Sequence, residues 1–283
     1  MNYRHVYHAG NFADCMKHAL LTALLRALSR KNTPFSVLDT HAGIGLYDLS
    51  SPQAEATGEW REGIGRLLDL PPDTPDLEPL KDWLALVRQV MKEYAGKMVY
   101  PGSPEIVLRA LRPGDSLVCC ELHPEDQRAL RRLFHNNPAV SVHHRDAYEA
   151  VTALLPPKTA KRGLVLIDPP FEERSEFTDL VKAVTTARQR FPTGIVAVWY
   201  PIKHRSPPRA FFHALQDAGH RNLLNLELSI RPPLDPGLLN GCGLLIANPP
   251  FKFDEEGTAI LSTLCKYLGD GNTESLVEWI VPE

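Results

Sequence analysis

The sequence lacks the features that mark secreted, membrane-spanning and zinc-binding proteins. No stretch approaches the roughly 18 apolar residues that a membrane span needs, and the polar start, residues 1–5, has no apolar signal region. The cysteines form no Cys-x-x-Cys pair and are odd in number: Cys15, Cys119, Cys120, Cys242 and Cys265. Cys119 and Cys120 are neighbours in a strand-like run, where adjacent side chains point to opposite faces and pair poorly. We therefore expect a reduced, cytoplasmic protein that holds no zinc.

A large excess of charge of either sign is also missing. The chain of 283 residues carries 31 Lys and Arg against 34 Asp and Glu, a net charge of −3. Proteins that bind nucleic acids mainly through nonspecific phosphate contacts are normally basic. A nucleic-acid partner of this chain would therefore have to bind a local basic surface. Basic clusters near Arg4, Arg128 and Lys203 are candidates, although each also fits an ordinary solvated helix face or loop. No coiled-coil pattern or apolar interface stripe is visible, so we expect a monomer.

Short apolar runs that end in polar or turn residues alternate with helical patterns along the chain. Helical spacing of apolar residues predicts helices over 13–28, 125–134 and 177–190. The apolar runs that predict strands are 35–39, 116–121, 140–144, 163–168, 194–199 and 243–248. Alternation of this kind predicts an α/β fold, with a mostly parallel sheet covered by helices on both faces.

One connection is longer than this fold needs. About 80 residues separate the first strand from the second, where a plain strand-helix-strand unit takes about 30. The excess, residues 50–105, carries helical patterns over 60–68 and 77–94. We predict that it is a small inserted helical subdomain beside the ligand crevice. It either grips RNA or only supports the sheet.

Three strand ends carry residues suited to an adenosine-containing cofactor. The first strand ends at Asp39 and leads into Gly43 and Gly45, two glycines that permit a tight turn against a ligand but do not form the GxGxxG fingerprint. The second ends at Glu121, which can accept hydrogen bonds from both ribose hydroxyls. The third is followed by Asp146, which can accept one from an adenine amino group. Strand ends of this kind meet at the carboxyl edge of an α/β sheet, where ligands bind.

The fourth strand ends in Asp168-Pro169-Pro170-Phe171. The two prolines hold the backbone extended and remove two N–H donors, which leaves carbonyl groups free to face a pocket. Asp168 and the Pro169 carbonyl can then accept both hydrogens of an exocyclic amine, while Phe171 stacks on the base. Drawing the amine toward tetrahedral geometry frees its lone pair to attack a methyl group, and positioning of this kind lowers the barrier.

A second tetrapeptide, Asn248-Pro249-Pro250-Phe251, fits the same pattern and follows another apolar run. Strand order favours Asp168, because it ends the fourth strand counted from the glycine loop. The run before Asn248 is preceded by residues 222–230 and resembles the hairpin that ends the sheet of class I methyltransferases.

Motifs in order along nearly the whole chain resemble the bacterial 23S ribosomal RNA (adenine-N6)-methyltransferase family, the RlmJ family. The matching segments are 3–5, 8–11, 13–14, 17–18, 38–43, 100–104, 121–124, 167–170, 199–201 and 279–283. The resemblance implies a class I S-adenosylmethionine-dependent methyltransferase with a Rossmann-like, seven-stranded, mostly parallel sheet. It implies methyl transfer to the N6 amino group of one adenine in 23S rRNA, naked or partly assembled.

The resemblance also implies residue roles. Asp168, with Pro169 and Phe171, would be catalytic, and Tyr3 and Lys17 would engage the target adenosine. The positions that would bind S-adenosylmethionine are His18, His41, Gly43, Ser103, Glu121, Asp146, Ala147 and Asp168. Two positions depart from relatives: Phe171 replaces a Tyr that some carry, and Ala147 stands where Gly is often found.

Other functions stay open at this level. DNA adenine methyltransferases share the Asp-Pro-Pro-Phe pattern, and family members have been linked to using external DNA as a nutrient, which would suit a nucleic-acid-binding accessory protein. The many histidines suggest a metal centre, but no His or Cys spacing supports one, and methyl transfer needs no metal.

Overall fold

The computed structural model describes residues 4–94, 97–173, 175–269 and 271–283. The strands are β1 (Ser36–Asp39), β2 (Leu46–Asp48), β3 (Val99–Pro101), β4 (Ser116–Glu121), β5 (Val140–His144), β6 (Gly163–Ile167), β7 (Ile195–Ile202), β8 (Leu223–Ser229), β9 (Gly241–Ala247) and β10 (Glu274–Val281). The helices are α1 (Phe12–Ser29), α2 (Pro52–Thr57), α3 (Arg66–Leu68), α4 (Lys81–Glu93), α5 (Ser103–Ala110), α6 (Pro124–Leu133), α7 (Ala147–Leu154), α8 (Glu176–Arg190), α9 (Ser206–Asp217) and α10 (Phe253–Leu268).

The main sheet has the strand order β10-β8-β9-β7-β6-β1-β4-β5. Strands β5, β4, β1, β6 and β7 are parallel to one another, and β9, β8 and β10 complete the sheet with antiparallel pairs. The predicted class I α/β fold is confirmed, including the hairpin of β8 and β9. The predicted strand count of seven is wrong, because residues Glu274–Val281 add an eighth strand against β8.

Strand direction separates the two edges of this sheet. The five parallel strands all end at one edge, where Asp39, Glu121 and Asp168 follow or close β1, β4 and β6. Because β9 runs antiparallel to β7, its carboxyl end and Asn248 lie at the opposite edge. The two similar tetrapeptides therefore stand on opposite sides of the molecule.

Helix α1 is buried on nearly every side and carries polar groups into the core. Its N-terminus is capped by Asn11, whose side chain accepts a hydrogen bond from the backbone N–H of Asp14 at 3.0 Å. The helix contacts α5, α10 and β9 and buries leucines along its whole length. A helix buried on all sides is ordinarily apolar all round. The buried Asp14, Lys17 and His18 of α1 are exceptions, and such polar groups need hydrogen-bond or charge partners inside the protein.

Residues between β2 and β3 form helices that share the core of the sheet. The predicted helix over 60–68 is a π turn, Arg61–Gly65, followed by α3, and the backbone kinks at Gly63. A Cβ atom on Gly63 would lie 2.1 Å from the Gly10 carbonyl oxygen, so only glycine permits this close approach. The predicted helix over 77–94 is a 3-10 segment, Pro75–Leu80, that continues into α4, since Pro79 cannot donate within a regular helix.

The cysteines are all free thiols. Cys15, Cys119, Cys120 and Cys242 are buried, while Cys265 on α10 is partly exposed. Burial raises the pKa of each buried thiol. No helix of the described ranges is long and apolar enough to cross a membrane.

Trp83 provides a test of the shared core. Its side chain on α4 is 1% exposed and belongs to the same apolar cluster as α1 and β1. We expect Trp83→Ala to lower the free energy of unfolding by about 3–5 kcal/mol, the usual cost of deleting a buried aromatic ring. Urea unfolding followed by circular dichroism measures this. The control Trp279→Ala, at a side chain 41% exposed, should cost less than half as much. Equal losses would contradict the shared core.

Candidate active site

A cavity of about 590 Å³ lies at the edge where the parallel strands end. It is large enough for a nucleoside-sized cofactor and part of a second ligand. Each site residue predicted within the described ranges lines it: Lys17, His18, His41, Gly43, Ser103, Glu121, Asp146, Ala147, Asp168, Pro169 and Phe171. The remaining predicted residue, Tyr3, lies outside the described residues.

The glycine loop after β1 has a backbone that other residues would strain. Gly43 and Gly45 have φ values of +61° and +80°. A Cβ atom on Gly43 would lie 2.2 Å from the Tyr47 hydroxyl oxygen, so a side chain here would displace that ring. Glycine at these positions therefore permits the backbone conformation that this loop adopts at the cavity wall.

Glu121 ties the ends of β1 and β4 together. Its Oε2 accepts a hydrogen bond from the Gly43 N–H at 2.8 Å, and its Oε1 accepts one from the His123 N–H at 2.7 Å. Burial raises the pKa of this carboxyl, against the effect of the two backbone donors. Each carboxylate oxygen has a second lone pair, so ribose hydroxyls can still donate to it.

Asp146 begins α7 as its N-cap. Its Oδ1 accepts hydrogen bonds from the backbone N–H groups of Tyr148 and Glu149, at 2.9 and 3.0 Å. Ala147 is the first residue of the helix and is 5% exposed at the cavity wall. Capping occupies Oδ1 and leaves Oδ2 as the oxygen that can serve a ligand.

Asp168 follows β6, at the centre of the cavity edge. Its backbone N–H donates to His41 Nδ1 over 3.3 Å, which links the glycine loop to this turn. Phe171 adopts a φ of +51°, and its ring lies 6.0 Å from the Trp199 ring in an edge-to-face arrangement. The turn thus brings a carboxylate, a proline carbonyl group and an aromatic ring to one part of the cavity.

Lys17 forms two buried ion pairs, one with Asp168 and one with Asp14. Its Nζ lies 2.5 Å from Asp168 Oδ2 and 3.0 Å from Asp14 Oδ1. Burial works to lower the pKa of Lys17, but the two carboxylates hold it well above its usual range. Burial likewise works to raise the pKa of Asp14, but His5 and the charged Lys17 hold it well below its usual range. Lys17 and Asp14 are therefore both suited to carry their charges inside the protein.

The two predicted cofactor-binding histidines are neutral near pH 7. Burial lowers the pKa of His18 to about 3 and that of His41 to about 4. His18 Nδ1 is hydrogen-bonded to the Tyr100 hydroxyl at 2.7 Å, which fixes the ring. These imidazoles can offer hydrogen bonds to a ligand without adding charge.

Asp39 at the end of β1 is a buried acid with one unpartnered oxygen. Its Oδ2 is buried without a hydrogen bond in the described structure, while the Ser103 hydroxyl donates to the carboxyl group. Burial is the main reason that its pKa rises to about 7, and the negative charge of Asp168 adds to it. An orphaned acidic oxygen next to the cavity is suited to a cationic ligand.

Asn248 does not line the cavity. Its side-chain amide donates to the carbonyl oxygens of Pro192 and Gly194, both at 3.0 Å, which ties the end of β9 to the start of β7. The following Phe251 is 84% exposed. This second tetrapeptide closes a turn at the far edge of the sheet.

Several cavity residues had no assigned role from the sequence. Asp14 lies three residues before Lys17 and four before His18, a helical spacing that places all three side chains on one face. This spacing could have predicted that Asp14 also lines the cavity. Tyr148, whose hydroxyl donates to Glu176, and Trp199 come from separate elements, and no local signal joins them. Among the residues with described coordinates, no group of three or more His, Cys, Asp or Glu is arranged to hold a metal ion.

Asp39→Asn tests the raised pKa. A carboxyl with a folded-state pKa near 7 and an unfolded one near 4 costs stability as pH rises through that window, by up to about 4 kcal/mol. The amide cannot ionise, so the variant should gain stability over the wild type between pH 4 and 7 and keep a constant advantage above. Urea unfolding without cofactor at pH 4.5, 6 and 7.5 measures this.

Asp115→Asn is a control in which the expected change in stability has the opposite sign. Burial works to raise the pKa of Asp115, but Arg112 and two backbone donors hold it below its usual value. This variant should therefore lose stability relative to the wild type as pH rises up to and through the ordinary carboxyl pKa of about 4, and its deficit should be constant above about pH 5. Parallel pH profiles of Asp39→Asn and the wild type would contradict the buried-acid assignment.

Comparison with known proteins gives consistent matches over the full chain. A family model described as "Ribosomal RNA large subunit methyltransferase D, RlmJ" matches residues 32–281. Proteins named ribosomal RNA large subunit methyltransferase J are 40% identical in Haemophilus influenzae and 38% in Escherichia coli, each over 100% of both chains. A crystal structure of a Legionella pneumophila protein is 35% identical, with a TM-score of 0.84 over 96% of this chain and 98% of that one.

These likenesses bear on three of the sequence predictions. The resemblance to the RlmJ family is confirmed, and so are a methyltransferase activity and S-adenosylmethionine as the cofactor. The residue roles remain predictions. The chain belongs to the ribosomal RNA large subunit methyltransferase D, RlmJ, family.

Proposed function

We propose that this protein transfers one methyl group from S-adenosylmethionine to the N6 amino group of a single adenine in 23S rRNA. The observation that carries the proposal is the turn Asp168-Pro169-Pro170-Phe171 at the carboxyl end of β6, inside the cavity that the predicted cofactor residues line. The names of the relatives support rRNA as the substrate class. Naked or partly assembled rRNA is the proposed partner of a cytoplasmic monomer that needs no metal.

The cavity fits a nucleoside cofactor that carries positive charge. When bound, S-adenosylmethionine supplies an electrophilic methyl group on a sulfonium sulfur. Glu121 would accept the ribose hydroxyls and Asp146 Oδ2 the adenine amino group, with Ala147 against the ring. Gly43, Ser103, His18 and His41 would hold the methionine part near the orphaned oxygen of Asp39. Acidic groups near the sulfonium favour the cation.

The target amine would bind at the turn after β6. Asp168 and the Pro169 carbonyl accept the two N6 hydrogens, which draws the nitrogen toward tetrahedral geometry, and Phe171 stacks on the base. In this geometry the nitrogen lone pair would be free to accept the methyl group that bound S-adenosylmethionine would supply. The N6 aminium that results loses its proton readily, so no histidine base is needed.

Lys17 would position Asp168 and the substrate. It binds Oδ2 of Asp168, which leaves Oδ1 to accept from the amine. With Tyr3, Lys17 also stands as the proposed contact to the target adenosine. Residues 50–105 are the proposed inserted subdomain, next to the cavity through the β2–β3 ribbon.

The first test is transfer to rRNA that lacks native N6-methyladenine. We expect purified protein with methyl-labelled cofactor to modify one adenine of such 23S rRNA, located by mass spectrometry of nucleoside digests. Transfer to duplex DNA but not to RNA would instead favour a DNA adenine methyltransferase. Absence of transfer to either nucleic acid would contradict the proposed function.

Asp168→Ala separates chemistry from cofactor binding. Loss of the acceptor should reduce kcat at least about 100-fold, because positioned hydrogen bonds of this kind contribute 10²–10³. Cofactor affinity, measured by calorimetry, should fall by much less. The matched variant Asn248→Ala, in the second tetrapeptide, should keep kcat within about twofold at temperatures where both are folded. Equal losses in the two variants would assign the wrong tetrapeptide.

A further inference from the structure

A proline-rich loop, residues 230–240, projects from the sheet beside the cavity. It joins the end of β8 at Ser229 to the start of β9 at Gly241, on the same edge as the active site. Leu239 of this loop and Lys203, which follows β7, both line the cavity. The mechanism described above uses neither residue.

The loop is held rigidly. Its prolines at 232, 233 and 236 each fix a backbone torsion. Asn240 is 1% exposed, and its side-chain amide donates to the carbonyl oxygens of Lys203 at 2.9 Å and Asp235 at 2.7 Å. The backbone N–H of Leu234 donates to the Pro232 carbonyl at 2.8 Å. Asn240 thus ties the middle of the loop to its end and to the segment that follows β7.

Leu234 lies on this rigid loop and is 86% exposed. A single exposed leucine is ordinary on a protein surface. Here, however, the leucine belongs to a loop whose Leu239 lines the cavity, so an apolar side chain on this loop is suited to contact an apolar surface of the substrate.

The charges around the loop match a nucleic acid. Lys203 at the cavity and Arg231 on the loop are exposed, and neither forms an ion pair within the described ranges. The cavity wall, in contrast, carries Asp and Glu side chains in excess over Lys. Phosphates are therefore attracted to the rim and repelled from the interior, which favours entry of an uncharged base over entry of the backbone.

We propose that Leu234 is a wedge that enters the RNA base stack and fills the gap left by the adenine that turns into the cavity. The proposal rests on the proposed function. Removing a base from its stack costs free energy, and apolar side chains inserted at base steps offset that cost in other nucleic-acid-binding proteins. The rim cations would hold the phosphates on either side of the gap.

The experiment compares two RNAs that contain the adenine mapped in wild-type reactions. One is a folded 23S rRNA fragment, and the other is a short oligonucleotide in which that adenine is unpaired. Leu234→Ala should lower kcat/KM about 10-fold on the folded RNA and less than about twofold on the oligonucleotide. Leu234→Met should restore activity, because it keeps an apolar wedge. The control Phe251→Ala removes an exposed aromatic ring at the far edge and should change neither rate.

A second readout follows the base itself. With 2-aminopurine at the target position, fluorescence rises when the base leaves its stack, and Leu234→Ala should lose most of that rise while binding S-adenosylmethionine as the wild type does. If the wild type modifies the folded RNA and Leu234→Ala is equally active on it, the wedge proposal is overturned and the proposed function is not. An equal loss on both RNAs also overturns it, since it indicates a general binding role. Failure of the wild type on every RNA overturns the proposed function and the wedge with it.

Discussion

The ammonium group of Lys17 lies between two carboxylates, Asp14 of its own helix and Asp168 at the end of β6. The lysine is only 4% exposed, so its charge depends on the two carboxylates for its stabilisation. Removing the lysine would leave two like charges facing each other in the interior. The pair also fixes α1 against the end of β6. Because α1 carries His18 as well, one buried charge cluster positions both the proposed cofactor side and the proposed base side of the cavity.

The glycine loop and the turn after β6 complete that arrangement through the backbone. Glu121 accepts from Gly43, and the N–H of Asp168 donates to His41, so the ends of β1, β4 and β6 are joined directly. Asp146, which follows β5, caps α7 and so brings the end of β5 to the same cavity wall. The cavity wall is therefore built from strand ends whose spacing is set by the sheet, which keeps it in place without a ligand.

The sequence was informative where structure is local and strongly patterned. Continuous apolar runs predicted the parallel strands within a few residues, because strands buried on both faces have no polar alternation. The edge strand β10 was missed: its outer face is exposed, and Leu276 and Trp279 break any simple pattern. Most residues placed on the cavity came from motifs at strand ends, whereas Lys17, His18 and Ser103 lie on helices and were predicted only from the family resemblance. The ion pair of Lys17 with Asp168 spans 151 residues, and no spacing in the chain encodes it.

The buried thiols have a consequence for chemical reactivity. A thiol reacts as its thiolate, and at Cys15, Cys119, Cys120 and Cys242 both the raised pKa and the surrounding core oppose that form. They lie on α1, β4 and β9, so a reagent reaches them only when the helix or the sheet opens. Their alkylation rate therefore reports how often the native core opens, while Cys265 on α10 reports the reagent's access to the surface.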